Sequence, residues 1–321
     1  RYKEIETIIA NWIHSAYIEM GWIHDFNITI SRYIMVSKYL FKYMKYFKLL
    51  KVVQGHPNHV ASIKFSTDGT KIVSTSADAT LLKGHSSWVN DAKFSPDDNF
   101  IVSCSLDKTI RLWDIKSGIQ IRKLEGHTDF IKNIQFSPNG RIIVSSSRDN
   151  TIRLWDLQSG QEIKRFEGID AQFSPDGQKL VTSSKDNAIV TWNVKSGKRI
   201  NTLKRDTYSV TKVQFSPDGH FIISCSSDKT IRIWDITSGM QVKKLYGHSN
   251  TILDVKYSRD SKTIISCSWD KTVRWWNVNF GMEIQKIEGY AGFVQTIDIS
   301  PDGNTVVTAS DDGTIRLWGS L

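Results

Sequence analysis

The feature that most constrains this chain is a phrase of roughly forty residues that returns seven times. Gly-His stands at Gly55-His56, Gly84-His85, Gly126-His127 and Gly247-His248. A valine or isoleucine follows four residues after each histidine. The fuller copies continue with a phrase like Phe-Ser-Pro-Asp-Gly, a run like Ile-Ile-Val-Ser-Ser-Ser, an Asp-Lys-Thr or Asp-Asn-Thr, and the ending Ile-Arg-Leu-Trp-Asp. Three further starts are degenerate: Gly168, Arg205-Asp206 and Gly289-Tyr290. The step is 42 residues from 84 to 126, 126 to 168, 205 to 247 and 247 to 289. A unit repeated at this period cannot bury its apolar face alone and must stack on its neighbours. Roughly 40–45 residues is the length of one propeller blade.

The local pattern within a repeat predicts four short strands. In the second repeat Val89 to Phe94 alternates loosely, Ser95-Pro96-Asp97-Asp98 turns, and Phe100 to Ser105 forms a second strand. Asp107-Lys108 turns again, Thr109 to Trp113 is a third strand, and Lys116-Ser117-Gly118 leads into Ile119 to Leu124. Proline fixes φ at one turn position, and Asp and Gly tolerate the rest. Short strands between such turns mean an all-β fold, and the absence of helical patterning between them excludes a βαβ sheet.

These residues resemble the WD-repeat family of β-propellers, and the resemblance covers residues 47 to 321. Trp113-Asp114, Trp155-Asp156 and Trp234-Asp235 match the motif outright; Trp192-Asn193, Trp276-Asn277 and Trp318-Gly319 are variants. The expected architecture is a seven-bladed WD-repeat β-propeller with repeat starts at 55, 84, 126, 168, 205, 247 and 289. An α-helical segment over residues 1–46 is expected to precede it. The last repeat stops after its third strand, and by resemblance residues 47–53 supply the fourth and close the ring. Two blades read as truncated. The step from 55 to 84 is 29 residues, and the loss falls where the third-strand Trp should be. The step from 168 to 205 is 37, and that loss falls between Gly168 and Phe173.

The resemblance also implies a hydrogen-bonded set in each blade: the His of Gly-His, a Ser or Thr, the turn Asp and the Trp. Full sets are His85, Ser105, Asp107 and Trp113; His127, Ser147, Asp149 and Trp155; and His248, Ser268, Asp270 and Trp276. Ser103, Ser145 and Ser266, two residues earlier on the same strand face, are alternatives for the serine. The remaining repeats break the pattern: the first lacks Trp, the fourth lacks His, the fifth places Asp206 opposite Asp228, and the seventh has Tyr290 in the His slot. A His–Ser–Asp trio invites a hydrolase reading. Recurrence at the repeat spacing makes it architecture instead, so no catalytic residue is assigned.

Residues just after Gly-His and just before the turn Asp should lie on one face of the ring. They are His59, Trp88, Phe130 and Phe293, with Leu106, Arg148, Lys185 and Trp269. Aromatic side chains with arginine nearby have the composition of a protein-binding hot spot. The expected role is a non-catalytic interaction scaffold that binds other proteins, with no small-molecule substrate. The alternative is an accessory propeller of a larger enzyme or signalling protein that continues upstream of Arg1, since the sequence does not begin with Met.

The net charge of +9 raises nucleic acid as a partner. The slot holding Arg111, Arg153, Arg232, Arg274 and Arg316 spreads that charge around the ring rather than along one stripe, so this reading ranks below protein binding. Cys104, Cys225 and Cys267 occupy one repeat slot and form no CxxC pair, which argues for buried structural thiols and against a metal site or cofactor. A reducing cytoplasmic setting follows, with the nucleus as the other choice. No run of 18 apolar residues occurs. Residues 25–46 carry a wide apolar face with Lys38, Lys42 and Lys45, which leaves a membrane surface as a second expected contact.

Overall fold

A computed structural model of the chain describes residues 46–54, 56–76, 84–203 and 208–321. The helical expectation for the N-terminal segment lies outside the described residues, as do Asp78 and Asp206. All regular structure among the described residues is β, in 26 strands from Phe47–Gln54 to Thr314–Ser320. Residues Phe47–Leu321 form one compact unit.

The strands form six antiparallel sheets of four and one sheet of two. Seven repeats therefore build six complete blades, not seven. The two-stranded sheet, Val60–Phe65 with Ile72–Ser76, belongs to the first repeat. The fourth repeat departs from expectation in the other direction, because it keeps all four strands. Its innermost strand is shortened to Asp170–Phe173, and the missing residues come mainly from the connection before it.

Turn chemistry explains why the hairpins close where they do. In the second blade the Ser95 hydroxyl donates to Asp97 at 2.5 Å and accepts the Phe100 amide at 2.9 Å. Asp98 then takes a left-handed φ of 54°, where Gly69, Gly140, Gly177, Gly219 and Gly303 sit at 70–73°. The second turn imposes the same demand on Lys108, Asn150, Asn187, Lys229 and Lys271, at φ 63–68°. The turn Asp offsets that strain by accepting the amide of the following Thr, as Asp107 does from Thr109 at 3.0 Å.

The inner strands are joined around the ring by side chains that cross from blade to blade. Ser62 donates to Asp91 at 2.5 Å, and Asp91 accepts the Ile134 amide at 3.3 Å. Gln135, Asp170, Gln214 and Asp254 accept the amides of Phe173, Val213, Tyr257 and Ile297 in turn. Asp298 accepts the Phe65 amide at 2.9 Å and completes the circuit. All seven repeat positions thus contribute an inner strand to one closed circle, including the position whose described residues form two strands only.

Four ion pairs line the same inner wall. They are Lys93–Asp91 at 3.5 Å, Lys212–Asp170 at 3.2 Å, Lys64–Asp254 at 3.9 Å and Lys256–Asp298 at 3.9 Å. Burial opposes charge on Asp91 and Asp254, but the surrounding lysines outweigh it and hold both carboxyls below their usual range. Burial pushes the Lys93 amine down to about 8. Pairing four lysines with four aspartates leaves the wall without net charge. A small cavity of about 10 Å³ lies beside Lys93, Lys212 and Lys256, room for about one water.

The last blade is completed from the other end of the unit. Strand Phe47–Gln54 lies antiparallel to Thr314–Ser320, from Phe47 opposite Ser320 to Gln54 opposite Thr314. Phe47 stacks on Trp275 of the sixth blade with ring centroids 5.3 Å apart. The Gln285 side chain accepts the Phe47 amide at 2.9 Å and donates to its carbonyl at 2.8 Å.

Candidate functional site

The face that presents the candidate residues is held from beneath by polar relays. In the third blade the Trp155 indole N–H donates to Ser145 Oγ at 2.8 Å. Ser145 lies 2.8 Å from His127 Nε2, and His127 Nδ1 lies 2.8 Å from Asp149. A carboxylate only accepts, so Nδ1 carries the proton and Nε2 accepts from the serine hydroxyl. The chain of donors therefore runs Trp, Ser, His, Asp, with a neutral imidazole. Burial lowers the pKa of His127 and of His248 below the ordinary histidine value, in agreement with that protonation state. The same relay runs through Trp113, Ser103, His85 and Asp107, and through Trp276, Ser266, His248 and Asp270.

The serine assignment of the sequence is corrected here: Ser105, Ser147 and Ser268 are not relay members. Trp113 stands opposite Ile101 across the ladder. Ser103 is two residues along the same face, about 7 Å away, whereas Ser105 is four along, about 13 Å away and beyond the reach of the ring. Ser105, Ser147 and Ser268 instead brace the turn, accepting the amides of Asp107, Asp149 and Asp270.

The relay is also more widespread than the pattern of identical residues suggested. All six complete blades donate the Trp indole to a Ser or Thr hydroxyl, including Trp192 to Thr182, Trp234 to Ser224 and Trp318 to Thr308. In the seventh repeat Tyr290 replaces histidine and lies 2.8 Å from the Thr308 hydroxyl. The first repeat, without its Trp, still holds His56 2.9 Å from Ser74. In the fifth, Asp228 is held by Arg232 at 2.6 Å and Lys244 at 3.8 Å.

Above the relays, backbone hydrogen bonds pair the two positions that form the face. Leu106 N–H donates to Trp88 O at 2.9 Å, Arg148 to Phe130 at 3.0 Å, and Asp311 to Phe293 at 2.9 Å. The side chains are thereby carried on fixed backbone. Trp88 is 49% exposed, Trp269 42% and Phe293 39%. Arg148 and Lys185 are exposed; His59, Leu106 and Phe130 are half-buried. Three contacts join them: His59 to Trp88 with centroids 5.5 Å apart, Trp269 to Phe293 at 5.7 Å, and Arg148 over the Phe130 ring at 5.0 Å. Taken around the ring, the aromatic positions occupy five consecutive repeats: Trp269 in the sixth, Phe293 in the seventh, His59 in the first, Trp88 in the second and Phe130 in the third. Lys185 stands alone in the fourth.

The arginine slot points inward. Arg111, Arg153, Arg232, Arg274 and Arg316 lie 3.9, 3.8, 2.6, 3.9 and 3.7 Å from their own turn aspartates. Cys104, Cys225 and Cys267 are fully buried free thiols, and burial raises the pKa of each.

Four-stranded antiparallel blades around a closed inner circle, each pinned by an indole-to-hydroxyl bond, define a repeat β-propeller. The WD domain, G-beta repeat family matches residues 47–82, 79–114, 118–156, 162–193, 197–235, 239–277 and 281–319, and the chain belongs to that family. The first matched segment begins with the closing strand, so the family's unit counts an outer strand of one blade with the inner strands of the next. No curated protein matches the chain. Members of the family generally serve as protein-interaction scaffolds and are typically non-catalytic.

Proposed function

We propose that this propeller is a non-catalytic adaptor that binds a partner protein on the face carrying His59, Trp88, Phe130, Trp269 and Phe293. The observation that carries the reading is the unbroken arc of aromatic side chains over five consecutive repeats, three of them more than a third exposed on hydrogen-bonded backbone. Large rigid rings lose little entropy on binding and contribute most of the energy of a protein interface. The histidines and serines of the relays are sealed beneath this surface, which supports an architectural role for them. The five paired arginines favour a protein partner over nucleic acid, because their charge is spent internally. The three buried free thiols fit a reducing cytoplasm or nucleus.

The test is capture of binding proteins from cell extract by the full chain and by the Trp88→Ala, Trp269→Ala variant. The variant should lose the captured proteins while its unfolding temperature stays within a few degrees. Equal capture by both would move the binding surface elsewhere.

A further inference from the structure

The face is not level. Between the outer strand of one blade and the inner strand of the next, six residues usually intervene, as in 125–130, 246–251 and 288–293. Between Glu162–Glu167 and Asp170–Phe173 only Gly168 and Ile169 remain. The short link is drawn down onto the blades: Gly168 donates to Asn150 O at 3.0 Å and Ile169 to Ser183 O at 2.7 Å. A Cβ at Gly168 would come within 2.3 Å of Ile152 and 2.9 Å of the Ser183 carbonyl, so only glycine fits this path. The shortening therefore removes the segment that follows the Gly-His position in other repeats, leaves Lys185 as the fourth repeat's residue on the face, and makes a step.

Three cations rim that step, Lys132 and Arg148 from the third blade and Lys185 from the fourth, and all are exposed. Among the described residues no ion pair joins any of the three to a carboxylate, although Asp170 and Asp129 attract Lys132 from farther away. The nearby acids are engaged elsewhere. Asp170 is bound by Asn133, Lys212 and the Val213 amide, Asp129 accepts the Phe130 amide, and Asp186 accepts from Ser184. Partial burial, then repulsion from Arg148, lowers the Lys132 amine below its usual range, and the attraction of Asp170 and Asp129 does not outweigh them. Arg148 holds its guanidinium carbon 5.0 Å from the centre of the Phe130 ring, and its N–H groups are of the kind that bind an oxyanion.

We infer that the step at the fourth repeat is the docking site for an acidic protein segment, whose carboxylates sit among Lys132, Arg148 and Lys185 beside the Phe130 ring. This rests on the protein-binding reading and specifies the partner's chemistry. Charge complementarity favours a peptide over a nucleic acid, since three cations confined to one step make no track for a phosphate backbone.

The experiment uses the full chain with three labelled probes at about 20 mM salt, where screening is weak: hexaglutamate, hexalysine and a single-stranded oligothymidylate. Hexaglutamate should bind, and the Arg148→Glu, Lys185→Glu variant should weaken it about tenfold or more while gaining affinity for hexalysine. No binding of hexaglutamate, or equal binding by the variant, overturns the inference. So does an oligothymidylate that binds more tightly than hexaglutamate and is lost in the same variant. The Trp88→Ala, Trp269→Ala variant should keep its hexaglutamate affinity. Failure of the charge reversal with loss of partner capture in the tryptophan variant refutes the step alone; the converse refutes the aromatic face alone.

Discussion

Replacing Thr308 with valine probes the relay where the sequence disguises it. Thr308 Oγ1 accepts the Trp318 indole N–H at 3.1 Å and shares a hydrogen bond with the Tyr290 hydroxyl at 2.8 Å. Thr308 is 0% exposed, Tyr290 5% and Trp318 6%, so water cannot replace the lost partner. Valine keeps the shape and leaves two polar groups orphaned. At about 1–3 kcal/mol for each buried unsatisfied group, the substitution should cost about 2–6 kcal/mol. Adding Tyr290→Phe to Thr308→Val removes one orphan and should return about 1–3 kcal/mol, although Tyr290→Phe alone destabilises. Urea unfolding followed by tryptophan fluorescence on the four proteins of this double-mutant cycle measures the coupling. Additive losses, or a Thr308→Val effect under about 0.5 kcal/mol, would show that Tyr290 merely fills space and that the relay does not extend to this blade.

Two further outcomes are expected. Burial opposes charge on Asp107, Asp149 and Asp270, but hydrogen bonds from their relay histidines and from Thr109, Thr151 and Thr272 outweigh it and hold all three carboxyls well below the usual range. His127 and His248 are also depressed. A group with a lowered folded pKa binds fewer protons folded than unfolded, so its contribution is present above the unfolded pKa and is lost as pH falls. The urea midpoint should therefore decline from about pH 7 and steepen below about pH 4, the ordinary histidine and aspartate ranges; a midpoint that is flat or rises on acidification contradicts the relay assignment. Phe47→Ala should cost about 3–5 kcal/mol, since it deletes a buried ring stacked on Trp275. It should expose Lys48 and Lys51 to trypsin, whereas Leu50→Ala, at a side chain 55% exposed, should do neither. Equal effects from the two would mean that the closing strand is not anchored through Phe47.

The period, the turns and the Trp slot were legible because each is local: a left-handed turn position or a buried indole constrains residue type at one site in every copy. The relay serine was not, because Ser103 and Ser105 lie on the same face of one strand and only cross-strand distance separates them. Tyr290 hid its role for a different reason. A phenol reaches the hydroxyl that an imidazole reaches elsewhere, yet the letters share nothing. The inner circle was missed because its members are Ser, Asp and Gln in no fixed order. What recurs is a side chain crossing to the next blade, and that partner lies a whole repeat away. Loss of five residues from the fourth repeat looked equivalent to loss of thirteen from the first. The shorter loss falls mainly in a connection that Gly168 can bridge, and the longer one leaves the first repeat with two strands among the described residues.

On the proposed function a partner protein meets the aromatic arc. A photo-crosslinking residue placed singly at Trp88, Trp269 or Phe293, and at the exposed outer-strand positions Ile163 and Val242, tests it directly in cells. Protein adducts are expected from the three face positions and none from the two rim positions. Adducts confined to the rim, or equal from both sets, would contradict it.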